Sequence, residues 1–279
     1  MRTILAYLFV LLFGAAALAQ TATPEQRAEL APSGKLRAAV VTIPFLAKQS
    51  ADGQVTGVAP DLGAELARVL GVPYEPQVIK APPDGVAAVR DGKADVTFLA
   101  PTPERIRLID FAPAFMEMEL SLLVPEGSPI QTLADADQPG RRIVVYERSA
   151  NEEMVRQTLS KATRVLVPLS NHRKAMETIR AGEADAFADL LYQVVANRSE
   201  MPGMRVVPGV VGRNALAIGS AKNKAAAAAY VKAFTEAAVK SGFVAKSTRT
   251  PVCAARPHPR CDAFPRGGAL AIPRGICRS

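Results

Sequence analysis

Two rhythms of apolar residues alternate along the chain. Short runs such as "KLRAAVVTI" (35–43), "ADVTFLA" (94–100), "RRIVVY" (141–146) and "ADAFADL" (184–190) are almost continuously apolar. Such runs suit strands covered on both faces. "YEPQVIK" (74–80), "ELSLLVP" (119–125), "TRVLVPL" (163–169) and "NALAIGS" (214–220) extend the set. Between them the apolar positions fall three and four apart. In "GVAPDLGAELARVLG" (57–71), Leu62, Leu66, Val69 and Leu70 share one helix face and Gly71 ends it. "PPDGVAAVRDG" (82–92), "SANEEMVRQTLSK" (149–161), "SNHRKAMETIRAG" (170–182) and "KNKAAAAAYVKAFTEAAVKSG" (222–242) read as further helices. Strands alternating with helices predict an α/β fold with parallel sheets and helices on both faces.

The chain also echoes itself. "VRDGKAD" (89–95) and "IRAGEAD" (179–185) both run from a helix end through a Gly into Ala-Asp and an apolar strand. The Gly supplies the left-handed residue that commonly ends a helix. Two similar α/β units about ninety residues apart are expected, hence two lobes.

In open parallel sheets, ligands bind beyond the carboxyl ends of the strands. The first echoed strand ends near Leu99, and the next charged residues are Glu104 and Arg105. The second ends at Asp189. A cation on one lobe and an anion on the other match a zwitterion: Arg105 can hold a carboxylate bidentately, and Asp189 can accept from an ammonium. Thr102 and Pro103 form a good helix opening, and Ser149-Ala150-Asn151 opens a second helix. Free N–H groups at such openings favour an anion. The competing readings pair Arg105 with Asp110 or Glu104 on the surface and make Asp189 a cap for "LLYQVVAN" (190–197). Phe45 reads as core, and His172 as a solvated residue of a first helical turn.

The ends of the chain differ from its body. Arg2, the apolar run from Ile4 to Ala17 and the sequence Ala17-Leu18-Ala19 read as a signal peptide, 1–19, cleaved before Gln20. No Cys follows the apolar run, which argues against a lipid anchor. The three cysteines, Cys253, Cys261 and Cys277, all lie in the tail 251–279. An exported body without Cys needs a real core, and this Cys spacing with His258 makes no metal site. Of the net charge of +8, much comes from the tail, which holds five Arg and a single acid. The remaining charge is too dispersed to imply nucleic acid. Five Pro and no periodicity predict that the tail is disordered.

Three stretches resemble the bacterial extracellular solute-binding proteins, family 3, the periplasmic amino-acid-binding proteins of ABC importers. They are "IPFLAKQSADGQVTGVAPDLGAELARVLG" (43–71), "AAVRDGKADVTFLAPTPERIRLIDFAPAF" (87–115) and "AGEADAFAD" (181–189). Together they cover roughly residues 33–250. The resemblance implies the type II periplasmic-binding-protein fold, with two hinge crossings near Val124-Pro125 and Gly212-Asn214. Lobe 1 is then 20–124 with 214–250, and lobe 2 is 125–213. It also implies that Arg105 binds the ligand α-carboxylate, helped by the turn at Ser149, and that Asp189 binds the α-amino group.

Several positions depart from the family pattern. Asp95 to Arg105 is about two residues shorter than usual. Leu99, Ala100 and Pro101 stand where hydroxyls often assist the amine. Arg148 stands where Gly is common, Ala150 where a hydroxyl is frequent, and Thr42 where an aromatic ring often stacks. These changes thin the amine subsite, and Arg148 adds a positive charge near it.

The expected function is delivery of an amino acid or similar small carboxylate to an inner-membrane ABC permease. The protein would act as a periplasmic monomer without metal, cofactor or nucleic acid. The alternatives are a dehydratase-like enzyme, with Glu117 or Glu119 as its acid, and a ligand sensor of a signalling system.

Overall fold

The computed structural model describes residues 22–43, 46–169, 171–196 and 202–248. The expected signal peptide, Phe45 and the tail with its cysteines lie outside them. The chain opens with α1 (Pro24–Leu30), β1 (Leu36–Val41) and a hairpin of β2 (Lys48–Gln49) and β3 (Val55–Thr56). Then come α2 (Val58–Leu70), β4 (Tyr74–Ile79), α3 (Pro82–Arg90), β5 (Val96–Leu99) and α4 (Pro103–Leu108). The long β6 (Asp110–Pro125) leads to α5 (Leu133–Ala136), β7 (Arg142–Tyr146), α6 (Ala150–Thr158) and β8 (Thr163–Val167). α7 (His172–Arg180), β9 (Ala186–Leu190), α8 (Leu191–Ala196), β10 (Met204–Val206), β11 (Gly212–Ser220), α9 (Ala225–Lys240) and α10 (Phe243–Ser247) complete the described residues.

The result is the two-lobed α/β fold. Each lobe carries a parallel triplet, β4-β1-β5 in one and β9-β7-β8 in the other. The triplets are not separate sheets. Antiparallel β11 and β6 lie between them and make one ladder in the order β4-β1-β5-β11-β6-β9-β7-β8, with β10 on β6. Leu120 is the junction: it pairs with Gly212 on β11 and with Leu190 on β9.

β6 starts earlier than the apolar pattern predicts because Pro113 hides its first half. Proline cannot donate to a ladder and is tolerated at irregularities. The β6–β11 register is broken near that point, between Leu216, Ala217 and Gly219.

The first lobe's core joins its sheet to α1, α2, α3, α9 and α10. Leu36, Val40, Leu66, Phe98, Ile218 and Phe234 are buried there. α9 has no side-chain cap of its own. Instead Glu29 of α1 accepts from its Ala227 N–H at 2.9 Å, tying the two ends of the described chain together. In the second lobe the period of two is plain. Ile143, Val145, Ala186 and Ala188 face one core, and Val144, Tyr146 and Phe187 face the other. Both faces are covered, which is why these strands lack a polar face.

The echo is structural. In the first lobe the Arg37 N–H donates to Asp95 Oδ2 at 2.8 Å and its guanidinium to Asp95 Oδ1 at 2.6 Å. In the second, the Arg142 N–H donates to Asp185 Oδ2 at 2.8 Å and its guanidinium to Asp185 Oδ1 at 3.0 Å. The return bonds match as well, from Asp95 N to Arg37 O and from Asp185 N to Arg142 O, each at 2.8 Å. Gly92 and Gly182, which precede these aspartates, sit at φ +67° and +68°. The same clamp therefore aligns the same two strands in each lobe. Four residues beyond each aspartate stand Leu99 and Asp189, the strand ends that face the cleft.

Candidate functional site

The carboxyl ends of both triplets open onto one cavity of about 60 Å³. Leu99, Ala100, Arg105, Ser149, Ala150, Asn151 and Asp189 all line it, as the strand-end rule leads one to expect. Thr42 and Thr102 do not. Thr42 follows β1 and is half-buried away from the lining, while Ile43 and Leu46 provide that wall. Thr102 is the N-cap of α4, where its Oγ accepts from Arg105 N at 3.4 Å. Residues 101–104 at the opening of α4 do not line the cavity, so of the two expected helix openings only that of α6 reaches it.

Arg105 is 7 % exposed and makes no ion pair among the described residues. The surface pairings with Glu104 and Asp110 do not form: Glu104 is exposed, and Asp110 pairs with Lys222 at 3.4 Å. The Arg105 guanidinium donates from Nη1 to Ala100 O at 3.0 Å and from Nη2 to Arg148 O at 3.4 Å. The second bond crosses from one lobe's strand-end turn to the other's. Burial lowers the guanidinium pKa to about 10, while nearby Glu104 acts in the opposite sense.

Asp189 is fully buried at the end of β9, on the face shared by Phe187. Its Oδ1 accepts from its neighbour, Leu190 N, at 2.8 Å. Its Oδ2 is buried and has no hydrogen-bond partner among the described residues. Burial pushes the carboxyl up to about 7, against the lowering effect of the Leu190 N–H. Burial and the Asp189 charge together raise the phenol of Tyr146, whose ring packs edge-on at 5.6 Å from Phe187.

Ser149 caps α6. Its hydroxyl donates to Tyr146 O at 2.6 Å and accepts from Glu152 N at 3.1 Å. The first N–H groups of α6, at Ala150 and Asn151, have no intrahelical partner and border the cavity.

Asn151 meets a residue the sequence did not single out for binding. Asn214 of β11 donates from Nδ2 to Asn151 Oδ1 at 3.1 Å, and its own Oδ1 is buried without a partner among the described residues. Tyr146, Gln193 and Leu216 also line the cavity. Tyr146 ends β7, so the strand-end rule could have found it. Asn214 and Leu216 come from the antiparallel return strand, for which that rule has no provision.

The added positive charge expected from Arg148 is not in the cavity. Its side chain is exposed, and only its carbonyl meets Arg105. Glu117 is exposed, Glu119 pairs with Arg213 at 3.2 Å, and neither lines the cavity. His172 is half-buried and packs its ring 5.7 Å from Phe187, so it is not a solvated residue. Among the described residues no group of three His, Cys, Asp or Glu gathers as a metal site, and no helix is long and apolar enough to cross a membrane.

Two predictions follow from local strain and burial. Arg148 holds φ +57°, a left-handed conformation that strains any Cβ. Its N–H bonds Glu152 at 2.8 Å, a contact glycine keeps. Arg148→Gly should therefore raise stability by about 0.5–1 kcal/mol, or roughly 1–4 °C in melting midpoint. An unchanged or lower midpoint contradicts this. Asp189 titrates near 7 when folded and near the ordinary carboxylate value of 3.8 when unfolded. Across that interval the folded state holds the extra proton, so this site makes the ligand-free protein lose stability as pH rises from about 4 to 7. Asp189→Asn should flatten that slope in denaturant titrations, and an unaltered slope contradicts the assignment.

Comparison with known proteins matches this geometry to a family. The family described as bacterial extracellular solute-binding proteins, family 3, matches residues 37–250. A curated relative, the ABC transporter glutamine-binding protein GlnH of Bacillus subtilis (strain 168), is 23 % identical over 146 residues, 51 % of this chain and 52 % of that protein. The chain thus spans about half the length of the curated relative it matches. An amino acid ABC transporter substrate-binding protein from Streptococcus pneumoniae bound to L-arginine aligns with a TM-score of 0.65 and 22 % identity, over 82 % of this chain and 97 % of that one. An ancestral amino acid-binding protein, a precursor of cyclohexadienyl dehydratase, aligns with a TM-score of 0.63 and 24 % identity, over 79 % and 96 %. These likenesses establish the two-lobed, type II architecture. With the family pattern covering most of its length, the chain belongs to the bacterial extracellular solute-binding proteins, family 3.

Proposed function

We propose that this protein is a periplasmic receptor that binds an α-amino acid between its lobes and delivers it to an inner-membrane ABC permease. One observation carries the reading. Among the described residues, a buried guanidinium without an ion pair and a buried carboxylate oxygen without a hydrogen-bond partner line the same cavity. Burying either charge alone is costly, and a zwitterion offsets both at once. The ligand carboxylate takes the Arg105 fork and the first N–H groups of α6. The ammonium donates to Asp189 Oδ2, and Asn214 Oδ1 provides a second acceptor. This restores the amine subsite that Leu99 and Ala100 leave thin.

The moving bodies are 20–124 with 214–250 and 125–213, acting as a monomer, with β6 and β11 bending between them. Ligand contacts to both bodies stabilise the closed form, and the permease reads that form. The segment 1–19 directs export. The dehydratase alternative is less well supported, because Glu117 and Glu119 lie off the cavity.

A thermal-shift screen of the purified protein against amino acids and amine-free carboxylates tests this reading. At one hundred times its dissociation constant, a ligand should add about 2.7 kcal/mol of stability. Arg105→Ala and Asp189→Asn should each abolish the shift. A shift obtained only with amine-free carboxylates, and kept in Asp189→Asn, contradicts the zwitterion reading.

A further inference from the structure

We propose that the ligand is a small neutral α-amino acid, of the size of glycine, alanine or serine, and not arginine, glutamine or glutamate. This inference rests on the amino-acid reading above and specifies the part of the ligand that reading leaves open.

Charge supplies the first argument. Among the described residues, Arg105 and Asp189 are the only Arg, Lys, Asp or Glu side chains in the cavity lining. An α-amino acid's own carboxylate and ammonium occupy both. A charged ligand side chain would then be buried without a counter-ion, which is strongly unfavourable.

The wall supplies the second. Beyond the two head-group partners, the lining is mainly Ile43, Leu46, Phe98, Leu169, Leu190 and Leu216. These side chains neither donate nor accept hydrogen bonds. A primary amide needs four hydrogen bonds; with Asn214 Oδ1 taken by the ammonium and the Ser149 hydroxyl spent on Tyr146 O and Glu152 N, only Tyr146, Asn151 Nδ2 and Gln193 remain among the described lining residues to supply them.

Size supplies the third. A cavity of about 60 Å³ is small beside the ~150 Å³ that holds a six-carbon ring, so the shortest side chains are accommodated best. Glycine has five heavy atoms, alanine six and serine seven. Arginine has twelve. The cavity is measured with the lobes touching, because Arg105 Nη2 already reaches Arg148 O across the cleft at 3.4 Å. Further closure cannot add room. A long side chain would have to hold the two turns apart and so would forfeit part of the closed-state contact.

Isothermal titration calorimetry of the purified protein with glycine, L-alanine, L-serine, L-valine, L-glutamine, L-glutamate and L-arginine tests the inference. Alanine or serine should bind at least 100-fold more tightly than glutamine, glutamate and arginine, with valine in between. Equal or tighter binding of a long or charged amino acid overturns the size and charge inference while leaving the amino-acid reading in place. If none of the seven binds but another amino acid shifts the melting midpoint, this inference fails alone; if no amino acid does either, the amino-acid reading itself fails and takes this inference with it.

Discussion

Two opposite charges are held out of water in one cavity without being allowed to neutralise each other. Buried ions are normally paired, because the loss of hydration is large and an ion pair offsets part of it. Arg105 instead gives two of its donors to main-chain carbonyls, at Ala100 and Arg148. Asp189 receives one N–H from its own neighbour and leaves Oδ2 unused. Both groups respond in the expected direction: the guanidinium pKa falls and the carboxyl pKa rises. The free protein therefore keeps an electrostatic deficit of either sign within one cavity, which the proposed zwitterion would remove. The proposed selection of the head group by charge descends from that one constraint.

The rest of the architecture holds these groups in place. The Arg37–Asp95 and Arg142–Asp185 clamps set the same strand alignment in each lobe, so corresponding strand ends face the same cleft. Divergence then acts at the tips. Leu99 of one lobe and Asp189 of the other occupy equivalent places, each four residues past a clamp aspartate. The apolar tip serves packing, and the acidic tip is the one proposed to meet the ligand. β6 and β11 connect the lobes through a continuous ladder, and Asn214 on β11 reaches Asn151 on α6 at that junction. A residue of the connecting strand thus borders the cavity directly, so a change in lobe angle also changes the position of a cavity acceptor.

Much of this was legible in the sequence because it is local. Hydrophobic period, Gly helix ends and the rule of strand carboxyl ends are short-range signals, and they located Arg105, Asp189, Ser149 and Asn151. What escaped them depends on tertiary pairing. Asn214 and Leu216 come to the cavity only because β11 returns antiparallel beside β5 and β6. The first half of β6 was obscured by Pro113, whose missing donor is absorbed by a register irregularity. Thr42 and Thr102 failed for a geometric reason: one stops short of the cavity, and the other spends its hydroxyl on a helix cap. Arg148 was expected to act through its charge, yet it acts through its carbonyl, at a backbone angle its side chain does not favour.

The central claim is that the ligand's ammonium meets an Asp189 carboxylate that is partly protonated beforehand. Calorimetric titration near pH 6.5, repeated in buffers of different ionisation enthalpy, counts protons exchanged on binding. With a carboxyl titrating near 7, binding should release a large fraction of one proton per ligand at pH 6.5, a release that falls to a small fraction by about pH 8 and is absent in any residual binding by Asp189→Asn. Tight binding of an amino acid with no proton release at pH 6.5, or with proton uptake, would contradict it.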